Sequence, residues 1–240
     1  MTRLGHGKQV GLVLRSISES RDLLGQLARR ERLLGPAHDR RHLAAAGKAG
    51  SALSSVDAML DLAMRSRGVT QARYHLHAFD AAWIGWNACF SRGWDLPSGD
   101  LCQYLKSLKK LSPLLRSSRA MTAHRPVLSR CLRESCRKDS RATAVKALEL
   151  LLDASTGTGY EKRYAEAKGR LVAASLSRST NVQVLHALYD VRCARLHGNL
   201  WPKTLGRVAV MRGLALASTG LTVGLIHAFA SSHLESPTGS

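Results

Sequence analysis

Apolar residues recur at intervals of three and four along most of the chain. "VGLVLRSISESRDLLGQLARRERLL" (10–34) follows that period, as do "VDAMLDLAM" (56–64), "CQYLKSLKKLSPLL" (102–115), "AVKALELLLDA" (144–154) and "VQVLHALYDV" (182–191). Such spacing puts one apolar stripe on an α-helix, whereas the two-residue alternation of a half-buried strand is missing. Breaks fall at Gly35-Pro36, at Gly68, in "GWDLPSGD" (93–100), at Pro113, at Pro126, in "STGTGY" (155–160), over 198–202 and in the tail "SPTGS". The pattern predicts six or more helices with short connections, an all-α helical bundle. The glycines of "TGTG" lack the Lys-Ser/Thr ending of a phosphate loop and read as a connection.

Residues 213–232, "GLALASTGLTVGLIHAFASS", carry no charge for twenty positions, enough to cross a bilayer. Gly220 and Gly224 even have the spacing of packed membrane helices. Ser218, Thr219, Thr222 and His227 favour the other reading, a buried central helix whose small residues allow close approach, with no membrane partner. Trp83, Trp86 and Phe90, three and four apart, are expected in the core. Trp94 and Trp201 stand in loop contexts and are the better candidates for stacking on bases. His75 and His77 match no ligand spacing and take no role.

Composition narrows the partners. The 240 residues hold 36 Lys and Arg against 17 Asp and Glu, a net charge of +19. The sequence pI is near 10.6. A chain of this charge attracts polyanions by counterion release. Basic residues also cluster: Arg116, Arg119, Arg125, Arg130, Arg133, Arg137, Lys138, Arg141 and Lys146 face only Glu134 and Asp139 in the same stretch, and "RRER" (29–32) with "DRRH" (39–42) forms a second run. Two such runs point to nucleic acid more than to a merely solvated face. The five cysteines are odd in number and form no CxxC pair, and no signal-peptide pattern opens the sequence. A reducing, cytoplasmic setting is therefore expected.

An Arg followed after four to six residues by His occurs three times: Arg32 to His38, Arg119 to His124, and Arg192 to His197. The first straddles Gly35-Pro36, and the second meets Pro126. The third closes a long apolar-periodic helix over 181–198, with Ser179, Thr180 and Asn181 as cap candidates and Gly198 as the stop. Residues five apart on a straight helix point about 140° apart. One helix therefore does not aim Arg192 and His197 at one atom. Two copies related by a twofold can pool them in one cleft, which predicts a homodimer through the 181–198 helix.

"LYDVRCARLHG" (188–198) resembles the signature of HEPN domains, Tyr-x-x-Arg, usually followed by a polar residue, then a short apolar-rich gap and His-Gly. Upstream, "FDAAWIGWNACFSRGW" (79–94) resembles the aromatic-rich first core helix of one HEPN subgroup. The likeness covers roughly 79–230. It implies a bundle of four or five helices, paired through the motif helices and acting as a metal-independent endoribonuclease. Nucleases of this family occur in toxin–antitoxin and abortive-infection systems and in RNA-guided CRISPR effectors. The resemblance puts Arg192 and His197 in the catalytic positions, with Tyr189 and Asn87 in support. Cys193 departs from the usual polar residue after the arginine.

The residue chemistry is consistent with that assignment. RNA carries its own nucleophile, the 2′-hydroxyl, so cleavage needs a proton acceptor, a proton donor and a group that holds the phosphate. Histidine titrates near neutrality, and arginine offers phosphate a fixed, permanently charged fork. Products with 2′,3′-cyclic phosphate and 5′-hydroxyl ends would follow. The histidines are scattered and no cysteine set matches a metal site, so neither metal nor other cofactor is expected. Arg195, Lys203, Arg130, Arg133, Arg137, Lys138 and Arg141 are the candidates for gripping RNA. A structural role competes at the motif, with His197 on the last carbonyls of its helix and Arg192 paired with Asp190 or Glu166. The alternative function is a non-catalytic RNA-binding or scaffold subunit of a ribonucleoprotein assembly. The expected organisation is a basic N-terminal helical extension (1–68), a HEPN-like helical domain (69–235) and a flexible tail (236–240), with an antitoxin protein or small RNA as a further partner.

Overall fold

The computed structural model describes residues 6–33, 41–93, 142, 145–150, 152, 160–173, 190–193 and 207–235. They form helices α1 (His6–Leu33), α2 (Arg41–Arg65), α3 (Gly68–Gly93), α4 (Glu161–Ala173) and α5 (Val208–Glu235), and residues 145–150 and 190–193 are helical as well. No strand occurs among the described residues, and the fold is all-α.

Helices α1, α2 and α3 bury the apolar faces that their spacing predicts, whereas α5 is buried at most of its described positions. On α1 the buried positions include Val10, Val13, Ile17, Leu24 and Leu27, and on α2 they include Ala45, Ala49, Leu53, Val56, Leu60 and Ala63. On α3 they include Ala72, Leu76, Phe79, Trp83 and Trp86. Phe79 and Trp83 meet edge to face with ring centroids 6.2 Å apart, and Trp83 lies 5.4 Å from Trp86. The two tryptophans are therefore core residues, as their spacing predicts; the side chain of Phe90 lies outside the described residues.

Gly68 sets the break between α2 and α3. Its φ of 56° is left-handed, a conformation that costs a glycine almost nothing and a side-chain-bearing residue about 1 kcal/mol or more. Across this break the Gln71 side-chain amide donates to the carbonyl of Ala63 at 3.0 Å, satisfying an acceptor that the end of α2 would otherwise leave bare. So short a connection forces α2 and α3 to run antiparallel, and Gly85 of α3 accordingly lies against Ala52 of α2.

Contacts between the remaining helices close the bundle. Arg21 pairs with Asp57 and Leu24 reaches Gly50, which makes α1 antiparallel to α2. Ser20 meets His227, and the Arg30 guanidinium donates to the carbonyl of His233, so α5 runs parallel to α1. Helices α1, α2, α3 and α5 thus pack in a ring, with α2 and α5 on the diagonal. The chain up to residue 68, expected as an extension, shares one hydrophobic core with α3 and α5: Val13, Leu53, Ala82 and Ile226 belong to the same cluster. The boundary expected after residue 68 falls at the α2–α3 break inside that core.

Helix α5 is long and apolar enough over 208–231 to cross a membrane by length and composition, yet three-quarters of its most apolar window is buried inside the protein. Its polar groups are internalised too. Ser20 Oγ and His227 Nδ1 are 3.2 Å apart, and Ser231 donates to the His227 carbonyl at 2.7 Å. At the far end of the ring, the buried Glu31 carboxylate lies 3.9 Å from His42, whose ring is tilted against that of His233 with centroids 3.9 Å apart. Phe229 closes that end with its edge on His233, centroids 4.6 Å apart.

Candidate functional site

The described part of the motif is a single helical turn, Asp190-Val191-Arg192-Cys193. Asp190 and Val191 are buried, while Arg192 and Cys193 are half-buried. Residues two apart on a helix point about 200° apart. A turn that directs Asp190 inward therefore directs Arg192 toward the opposite side, in keeping with their burial.

Helix α4 supplies the partner of Asp190. Its sequence, EKRYAEAKGRLVA, begins with Glu161, an acid well placed against the positive end of a helix. Tyr164 and Ala167 are buried, whereas Arg163 and Glu166 are exposed. Lys168 pairs with Glu149 at 2.8 Å, tying α4 to the stretch 145–150. From the first turn of α4, Arg163 reaches Asp190 with two nitrogens. Nε donates to Oδ1 at 2.7 Å, and a terminal nitrogen stands 2.6 Å from the same oxygen. The Asp190 side chain is 7 % exposed and that of Arg163 44 %. A carboxylate this buried is stable as an anion only with a partner. Partial burial works against the charge on Arg163, but the Asp190 hydrogen bond and negative charge outweigh it, with smaller contributions from Cys193 and Tyr164. The guanidinium is held above its ordinary pKa and stays charged.

The pairing proposed for a purely structural motif had Arg192 on Asp190 or Glu166. Asp190 also bonds Arg163, and Glu166 lies 3.8 Å from Arg170, four residues on, so each of these acids has a cation on α4 whatever else it meets. Asn87 lies on the exposed side of α3, two residues beyond Gly85. At Gly85, α3 runs close to both neighbours: a Cβ there would lie 3.3 Å from Ala52 Cβ and 3.3 Å from Ile226 Cδ1. The segment resembling a first HEPN core helix thus belongs to α3, with Trp83 and Trp86 turned inward and Asn87 outward.

Of the residues expected at the site, Arg192, Cys193 and Asn87 are described; Tyr189, His197, Arg195, Lys203, Arg130, Arg133, Arg137, Lys138 and Arg141 lie outside the described residues. Trp94 and Trp201 lie outside them as well. His75 is fully buried in α3, and His77, two residues on, is exposed. Among the described residues no group of three or more His, Cys, Asp or Glu is placed to hold a metal ion. Arg163 is the residue that sequence reasoning missed. Its only local signal is its place in the first turn of a short amphipathic helix, 27 residues from its partner. No family model, curated protein or solved structure matches the chain.

Proposed function

We propose that the protein is a metal-independent endoribonuclease of HEPN type that acts as a homodimer and serves in defence or as a toxin restrained by an antitoxin protein or small RNA. The observation that carries this reading is the motif turn: Asp190 and Val191 are anchored inward, and Arg192 stands half-buried on the other side. An arginine on an anchored turn can meet a phosphate without first paying to order its own backbone. The net charge of +19 supplies attraction for a polyanion.

In this mechanism, the RNA 2′-hydroxyl attacks the adjacent phosphorus and the 5′-oxygen leaves. Arg192 holds the non-bridging oxygens as negative charge redistributes over them, and His197 moves the proton. Two copies of the motif complete one cleft, since a single helix turns these side chains apart.

The test is cleavage of mixed single-stranded and structured RNA by the purified protein in EDTA, beside Arg192→Ala and His197→Ala, with product ends analysed. Loss of a preorganised charge of this kind costs about 10²–10³ in kcat. Cleavage by the parent that leaves cyclic phosphate ends, and a loss of that order in both variants with RNA affinity kept, is the expected result. Tight binding without cleavage, tested also on total cell RNA, would replace the nuclease with the RNA-binding scaffold.

A further inference from the structure

Asp190 and Cys193 are three residues apart and therefore share one face of the motif turn, with Arg192 between them in sequence and directed elsewhere. Arg163 lies on the shared face. It bonds Asp190 through two nitrogens. Both of its nitrogens converge on one carboxylate oxygen that is almost wholly removed from water, so a rotation of the turn about its axis would break both contacts at once. A lysine, with one compact ammonium on a flexible stem, would resist that rotation less well.

We propose that Arg163 is a positioning residue for the motif: by anchoring Asp190 to α4 it fixes the rotation of the 190–193 turn and thereby the direction from which Arg192 meets a phosphate. The inference rests on the ribonuclease reading for its catalytic consequence and on the ion pair for its structural one. Arg163 does not touch the reacting atoms. Its effect is transmitted through Asp190 to Arg192, two residues away.

The experiment compares the parent with Arg163→Met, Arg163→Lys, Asp190→Asn and the exchange Arg163→Asp/Asp190→Arg, using two readouts on the full chain. Hydrogen exchange of the peptide covering 190–193 reads the anchor without reference to activity. RNA cleavage with kcat and KM separated reads the positioning. Misplacing a catalytic group by about 1 Å costs roughly 10² in rate. Arg163→Met and Asp190→Asn should therefore speed exchange at the turn and lower kcat by about 10- to 100-fold, with KM within about threefold. Arg163→Lys should fall between Met and parent, and the exchanged pair should recover most of both losses, as coupled partners do. If Arg163→Met fails to fold, Arg163→Lys and the exchanged pair carry the same comparison. Unchanged exchange at 190–193 overturns the anchor. Faster exchange with unchanged kcat overturns the positioning role and leaves a merely structural ion pair. If the parent itself cleaves no RNA, the ribonuclease reading fails and takes the positioning role with it, while the exchange data still decide whether the anchor exists.

Discussion

Gly85 offers a direct test of how α5 sits in the protein. A methyl group added there would lie 3.3 Å from Ala52 Cβ on α2, 3.3 Å from Ile226 Cδ1 and 3.5 Å from Thr222 Cγ2 on α5. Carbon pairs gain most at about 3.5–4.0 Å, so two of these three contacts are too close by a few tenths of an ångström. Ile226 Cδ1 is the end of a flexible side chain and can turn aside. Ala52 Cβ is fixed to its backbone, so α2 and α3 would have to move apart. Overpacking of this kind costs about 1–3 kcal/mol, while exchanging glycine for alanine inside a helix gains about 1 kcal/mol. The expected net effect of Gly85→Ala is a loss of about 1 kcal/mol, seen as a lower urea midpoint at unchanged m-value and a Tm drop of about 2–4 °C. Gly85→Leu pushes three further carbons into the same space and should cost more than about 3 kcal/mol.

The partner of the clash can also be removed. Ala52→Gly alone should destabilise by about 1 kcal/mol through helix propensity, yet in the Gly85→Ala background it clears the blocked position. The double variant should therefore be more stable than the sum of the single effects by about 1 kcal/mol, well outside the roughly 0.3–0.5 kcal/mol of ordinary additivity. Equal stability of Gly85→Leu and parent, together with additive single effects, would refute the packing of α3 between α2 and α5. It would also remove the ground for reading 208–231 as an internal helix.

Cys89 is wholly buried, and burial raises its thiol far above the ordinary value of 9.0. Between the unfolded and folded values the native state keeps a proton that the unfolded chain has lost, so stability is fully present below about pH 9 and falls as pH rises beyond it. The slope from this one group is about 1.4 kcal/mol per pH unit, and Cys89→Ala should remove that share of the alkaline loss in urea titrations at pH 8–10.5; an identical slope in both proteins contradicts the buried thiol. Alkylation with iodoacetamide under native conditions should mark Cys193 before Cys89, read by peptide mass spectrometry. Ser20→Ala strips a hydrogen-bond partner from the buried His227 ring and should cost about 1–3 kcal/mol, whereas adding His227→Leu should cost less than the two single losses combined; strict additivity in the melting data would sever the Ser20–His227 link.

The bundle could be anticipated from the sequence because its determinants are local. A period of three and four specifies a helix and its buried face, a glycine specifies where a left-handed residue is tolerated, and both signals survive without knowledge of neighbours. Trp83 and Trp86 went inward for that reason, and Gly68 ended one helix and admitted the next. What the sequence left open is pairwise and distant. That α1 and α2 share a core with α5 depends on side chains some 200 residues apart, such as Ser20 and His227, neither of which names its partner in isolation. The same holds at the motif. Spacing from a histidine picks out three arginines alike, and Arg192 could be singled out only by its place at the end of a long apolar-periodic helix stopped by Gly198; the arginine that pairs with its turn is one among many, distinguished only by a carboxylate 27 positions downstream.

Burial separates the two acids of this region in a way that charge counting cannot. Glu166 is exposed and pairs with Arg170 at 3.8 Å in water, an interaction worth about 0.3–0.5 kcal/mol and readily exchanged for solvent. Asp190 is shielded from water and cannot exchange its partner without a desolvation cost, so its pair with Arg163 acts as a constraint on geometry more than as a source of stability. On the proposed ribonuclease reading, a site that must hold an arginine in a fixed direction gains from a constraint of that kind, and would gain little from a second exposed ion pair. Asp190 neutralises a cation from α4, and the arginine beside it remains directed away from that pair.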